Sequence, residues 1–183
     1  MSDPEDRPGD DIPLGVARAW LMNARHEGTT CPCCTQRAQV YRRKLYYAMA
    51  HTLVLLYEYF ATHDGWLHVP TYLNGRGVAA RGGDWAKMTH WGLIVGSGET
   101  REDDSGRVGE YQITELGIAF VERSVTVPAY MFFYNGEAIG RSDERVYIDA
   151  ALGKQFNYAE LMSGIARPVP GPPGQVALPG IHE

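Results

Sequence analysis

All three cysteines of the 183-residue chain fall within Cys31-Pro32-Cys33-Cys34. The C-x-x-C spacing of Cys31 and Cys34 lets two thiolates approach one metal ion from a single tight turn. Thiols this close together cannot staple a disulfide framework across a fold, and they fit a reducing compartment. A structural zinc takes four nitrogen or sulfur donors. Cys31, Cys33 and Cys34 with His26, the histidine nearest in sequence, form the first candidate ligand set, and His68 and His90 are alternative ligands. The competing readings are free thiols or a redox dithiol, although the βαβ context of that redox motif is missing from the pattern. A catalytic zinc has no partner motif, because neither H-E-x-x-H nor H-x-E occurs.

The second chemistry is phosphate contact. Between Arg76 and Trp91 stand Arg76, Arg81 and Lys87 against the single acid Asp84. This is a local basic patch on a chain whose formal net charge is −5. That total excludes a general polycation that coats nucleic acid, so any phosphate contact has to come from such a patch. Lys87, Thr89 and His90 are candidates for reading base edges, with Arg42, Arg43 and Lys44 as a backbone clamp. A stretch between two strands, Ser97 to Gly109, opposes this chemistry. It holds Glu99, Glu102, Asp103 and Asp104 against Arg101 and Arg107, and phosphate repels such a tip. A protein partner with a basic surface suits it better.

Enzyme motifs are missing from the sequence. There is no G-x-S-x-G elbow, and no P-loop or dinucleotide fingerprint. Asp103-Asp104 and Asp143-Glu144 are isolated acid pairs in turns, without a third metal ligand. A non-enzymatic protein is expected.

These residues need elements to position them. With 44% apolar and 21% charged residues the chain is a folding composition rather than a disordered one. No apolar run approaches the ~20 residues of a membrane span. The acidic start, Met1 to Asp6, lacks the pattern of a secretory signal, so a cytoplasmic location is expected. The pattern divides into a disordered leader (1–12), a helix and cysteine knuckle (13–35), a central domain (36–124), a β-hairpin extension packed on it (125–165) and a disordered Pro/Gly tail (166–183). In the second segment Pro13 opens a helix that Gly28 caps. In the central domain the longest helix is expected from Gln36 to about Thr62. Its stripe is Leu45, Met49, Leu53, Leu56 and Phe60. A short helix follows from Pro70, then a third over Trp85–Trp91 that Asp84 caps. Trp85, Met88 and Trp91, spaced by three, form its inward face. A strand at Leu93–Val95, a polar turn, a strand at Tyr111–Thr114 and a helix capped by Thr114 complete the domain. Beyond it, Asn135-Gly136 marks the turn of a hairpin, whose Tyr/Phe-rich strand from Tyr130 to Tyr134 could also join two copies of the chain.

This order resembles a winged helix-turn-helix domain. The most specific match is Tyr111-Gln112-Ile113-Thr114-Glu115-Leu116-Gly117-Ile118-Ala119-Phe120. It is similar to the Y-x-[IL]-T-x-x-G-x-x-F segment that closes the wing in MarR-like and PadR-like regulators. In the same comparison Trp85–Ile94 resembles a recognition helix running into the first wing strand. The wider chain is similar to small proteins of actinobacterial phages and their hosts. The shared landmarks are the cysteine knuckle, Tyr41–Lys44, Trp91–Ile94, the wing segment and Phe156–Met162. The resemblance implies a phage-type source and an α+β, winged-helix architecture with an N-terminal cysteine knuckle and a C-terminal β-hairpin extension; with the basic patch and the cysteine spacing, a DNA-binding protein with a structural zinc is expected. The alternative is a winged-helix module that engages a host or phage protein complex. Regulators of this kind often pair, so a homodimer is expected.

Overall fold

The computed structural model describes residues 8–9, 11–78, 83–99, 109–154 and 156–168. Among the described residues the fold is α+β, with several helices and four small sheets of two or three strands. Every strand pair whose register is defined is antiparallel. The chain forms two compact units, Met1–Arg43 with Met131–Gly140, and Lys44–Tyr130 with Arg141–Glu183. Of the expected leader (1–12) residues 1–7 and 10, of the tail (166–183) residues 169–183, and of the turn between the wing strands (97–109) residues 100–108 lie outside the described residues, as does Arg81.

In the first unit, helix α1 (Leu14–Ala24) follows Pro13, which takes the N-cap position. The helix stops at Arg25. Gly28, expected as its cap, instead has φ +82° just ahead of the next strand. Strands β1 (Thr29–Thr30) and β2 (Arg37–Ala38) pair in the register Thr29↔Ala38 and Thr30↔Arg37, and residues 31–36, which include the three cysteines, connect them. Strand β3 (Tyr41–Lys44) follows. The long helix therefore begins eleven residues later than the sequence pattern suggests, at Tyr47. Of the Leu/Met stripe the segment from Gln36 to Tyr46 holds only Leu45. Its Val40 and Tyr41 are residue types that favour an extended strand. The β8–β9 hairpin (Tyr130–Tyr134 and Glu137–Arg141) turns at Asn135-Gly136, with φ of 50° and 81°. Both central residues in the left-handed region is what a tight hairpin turn of this kind requires. The sheet order is β3-β8-β9.

Helix α2 (Tyr47–Phe60) is the centre of the second unit. The expected stripe is buried throughout, with Leu45, Met49, Leu53, Leu56 and Phe60 all at most 5% exposed. Ala50, Val54 and Tyr57 are buried as well, because α2 is packed by two helices, a 3-10 helix and a strand. A helix surrounded in this way is apolar on more than one face. Strand β4 (Leu67–His68) leads into α3 (Val69–Gly75), which has proline in its first turn. A 3-10 helix then covers Asp84–Trp91 and ends on Gly92 at φ +72°. Its three residues per turn stack positions three apart, so Trp85, Met88 and Trp91 all turn inward. Asp84 does not cap it by a side-chain bond, because its carboxylate is engaged elsewhere.

Strands β5 (Ile94–Gly96) and β6 (Glu110–Ile113) pair as Ile94↔Ile113, Val95↔Gln112 and Gly96↔Tyr111. Strand β4 flanks β6 on the other side, giving the order β4-β6-β5. Thr114 ends this sheet and starts helix α4 (Glu115–Val121). Its hydroxyl donates to Gly92 O at 2.6 Å and accepts from Gly117 N at 3.0 Å. Gly117 brings α4 against the sheet, since a Cβ there would stand 2.1 Å from the Leu93 carbonyl oxygen. Strands β7 (Val127–Pro128) and β10 (Arg145–Val146) pair beside α5 (Ile148–Leu152). Helix α6 (Tyr158–Met162) is N-capped by Asn157. No described helix is long and apolar enough to cross a membrane.

Candidate functional site

The 3-10 helix is anchored from within. The Trp91 indole donates to Pro128 O at 2.7 Å, and Trp85 meets the Tyr111 ring edge-on at 4.9 Å. Anchoring this face turns the remaining positions outward. Ala86, Lys87 and Thr89 are half-buried and His90 is exposed. The Thr89 hydroxyl donates to Ala86 O at 2.9 Å, which leaves its oxygen able to accept. Lys87 forms an ion pair with Asp84, and the same carboxylate accepts the Tyr46 hydroxyl at 2.8 Å.

Arg76 stands at the end of α3. It pairs with Glu58 of α2 at 2.8 Å and lies over the Tyr72 ring, 5.4 Å from its centre. The Glu58 bond raises the already high pKa of its guanidinium. Both described cations of the patch therefore carry an acidic partner, and in both pairs the side chains are about two-fifths exposed. Pairs this exposed are worth only ~0–1 kcal/mol and exchange readily. Arg42, Arg43 and Lys44 are exposed on strand β3, not on the start of α2. The first two belong to the first unit, and Lys44 opens the second.

Next to this helix lies a cleft of about 270 Å³ lined by Tyr46, Tyr47, His51, Thr52, Asp84 and Trp85. Tyr47 stacks on His51 at 5.4 Å and on Phe156 at 4.5 Å. Burial holds the His51 imidazole below its ordinary pKa, favouring the neutral ring. The spacing of four between Tyr47 and His51 puts them on one helical face and is readable in the sequence. Phe156 arrives from about 105 residues further on, and no local pattern announces it.

The cysteines occupy the tip of the β1–β2 hairpin. Cys31 N donates to Gln36 O at 2.8 Å and Thr35 N to Cys31 O at 3.0 Å, with Thr35 at φ 60°. Backbone N–H groups of Cys34 and Cys33 point at the Cys31 sulfur and hold its thiol below the usual range. The Cys33 thiol is pushed up, first by desolvation and then by negative charge on Cys31. All three are free thiols, with Cys33 and Cys34 exposed. Among the described residues no group of three or more His, Cys, Asp or Glu side chains is arranged to hold a metal, so Cys31, Cys33, Cys34 and His26 are not brought into one ligand set. His26 is exposed, just beyond α1. Of the alternative ligands, His68 is bonded to Thr71 Oγ1 at 2.7 Å and His90 lies on the 3-10 helix.

No protein-family model, curated protein or solved structure matches this chain.

Proposed function

We propose that the second unit is a winged-helix module that binds DNA through the outer side of the 3-10 helix. The observation that carries this reading is the inward set Trp85, Met88 and Trp91, which leaves Lys87, Thr89 and His90 outward directly ahead of the β5–β6 hairpin. The element order, α2, β4, α3, 3-10 helix, β5, β6, α4, supports the same architecture. Lys87 would exchange Asp84 for a phosphate at little cost, since exposed pairs contribute ~0–1 kcal/mol. Thr89 and His90 would meet base edges, and Arg76 would leave Glu58 for the backbone in the same way.

The test is fluorescence anisotropy of a mixed-sequence duplex against the full chain over a salt series. Log affinity should fall linearly with log salt, and Lys87→Ala should reduce that slope by about one phosphate contact. His90→Ala should weaken binding with a smaller change in slope. No retention of duplex at low salt would refute the reading.

One observation favours a second reading. Arg76 and Lys87 are each neutralised by an acid, on a chain of net charge −5. A module of this kind would engage a basic protein surface rather than DNA. Failure of the duplex assay, followed by co-purification of a basic partner, would support it.

A further inference from the structure

We propose that the cysteine turn is half of a zinc centre that two copies of this chain complete, with Cys31 and Cys34 of each copy as the four ligands. Zinc in a structural site takes four donors in a tetrahedron with Zn–S bonds of about 2.3 Å. The β1–β2 hairpin presents Cys31 and Cys34 around one turn, fixed by Cys31 N donating to Gln36 O at 2.8 Å and Thr35 N donating to Cys31 O at 3.0 Å. Fewer than three donors converge within one chain among the described residues, so the hairpin offers a pair of thiolates. The tip is accessible to another molecule, since Thr30 and Cys33 to Arg37 are all exposed.

A second, independent feature of the same unit fits a second copy. Helix α1 is eleven residues long, yet its one buried residue is Ala17. Leu14, Val16 and Met22 are 46–54% exposed on it. Helix α1 and the cysteine hairpin belong to the same compact unit. Leu14 and Met22, eight residues apart, share one face of the helix, which a second copy joined through the metal would cover. On binding, each ligating thiol that is still protonated releases its proton to solvent, and no oxidant is consumed. Cys33 takes no part in coordination. The metal bridge forms whether or not the second unit binds DNA.

The test uses the full chain, reduced and stripped of metal, titrated with zinc while light scattering reads mass and metal analysis reads zinc per chain. The mass should double at one zinc per two chains and return to that of one chain with chelator. Cys31→Ser and Cys34→Ser should each abolish both effects, while Cys33→Ser keeps them. Near-UV circular dichroism identifies any variant that has lost its fold. For such a variant, cobalt(II) absorption of the unaltered chain carries the test, and a tetrahedral thiolate spectrum saturating at half an equivalent is expected. Leu14→Asp should weaken the dimer about tenfold or more, the loss expected when an interfacial leucine is left unburied. No bound zinc, one zinc on a monomer, a dimer dissolved by reductant alone, or a Cys33→Ser variant that loses the metal would each overturn the proposal.

Discussion

Replacing Gly117 with alanine tests the packing that positions the β5–β6 hairpin. The new methyl carbon would stand 2.1 Å from the Leu93 carbonyl oxygen and 2.9 Å from Ile113 Cγ1. Ordinary contact begins near 3.4 Å, so α4 must retreat by roughly 1.3 Å from a backbone atom that cannot rotate away. The helix carries Ile118, Phe120 and Val121, each at most 1% exposed, and all three would be loosened together. The Gly117 N–H bond to Thr114 would be strained as well. Overpacking of this kind costs ~1–3 kcal/mol or more, and the higher helix propensity of alanine returns about 1 kcal/mol. Because the obstacle is backbone, the upper end of the range applies, giving a net loss of about 2 kcal/mol. Urea unfolding followed by tryptophan fluorescence should show the midpoint falling by about 1 M, for a slope near 2 kcal/mol per molar. Leu116→Ala on the same helix, at a position 38% exposed, is the control, and it should cost less than about 0.5 kcal/mol. A Gly117→Ala midpoint equal to or above that of the unaltered protein would refute the close approach of α4 to Leu93.

Two further outcomes follow from the same region. Thr114→Ala removes both the bond to Gly92 O and the cap on Gly117 N, so it should destabilise by about 2 kcal/mol. Thr114→Ser should recover most of that loss in the same urea assay. Burial lowers the His51 pKa from its ordinary 6.5, so the stability linked to this ring is fully present above about 6.5 and is lost as pH falls through the lowered value. His51→Phe keeps an aromatic ring beside Tyr47 and Phe156 without the titration. Its urea midpoint should therefore fall less than that of the unaltered protein between about pH 7.5 and about pH 5, and equal falls would show that His51 does not carry the effect.

Local pattern carried much of the fold. The Leu/Met stripe of α2 needs only the helical period to be read. The left-handed turn at Asn135-Gly136 and the Thr114 cap each depend on a few adjacent residues and are present as expected. The spacing of Trp85, Met88 and Trp91 marked their common inward face. The segment winds as a 3-10 helix, and its inward face is held by two long-range contacts, the Trp91 bond to Pro128 and the Trp85 contact with Tyr111. The expected start of the long helix failed because Arg42 to Lys44 are good helix formers by local propensity, whereas the strand they form pairs with β8, far along the chain.

The sequence by itself determined which residues could do chemistry, because thiols, cations and their spacing are properties of the chain. It also determined where turns and caps fall, since these are satisfied by near neighbours. Only tertiary structure decided how that chemistry is committed. Asp84 serves Tyr46 and Lys87 rather than capping its own helix, Glu58 neutralises Arg76 from 18 residues away, and the cysteine turn projects exposed thiols from a two-stranded hairpin. The physical reason is that a side chain's charge and hydrogen-bonding capacity are local, whereas its partner is chosen by the packing of elements far apart along the chain.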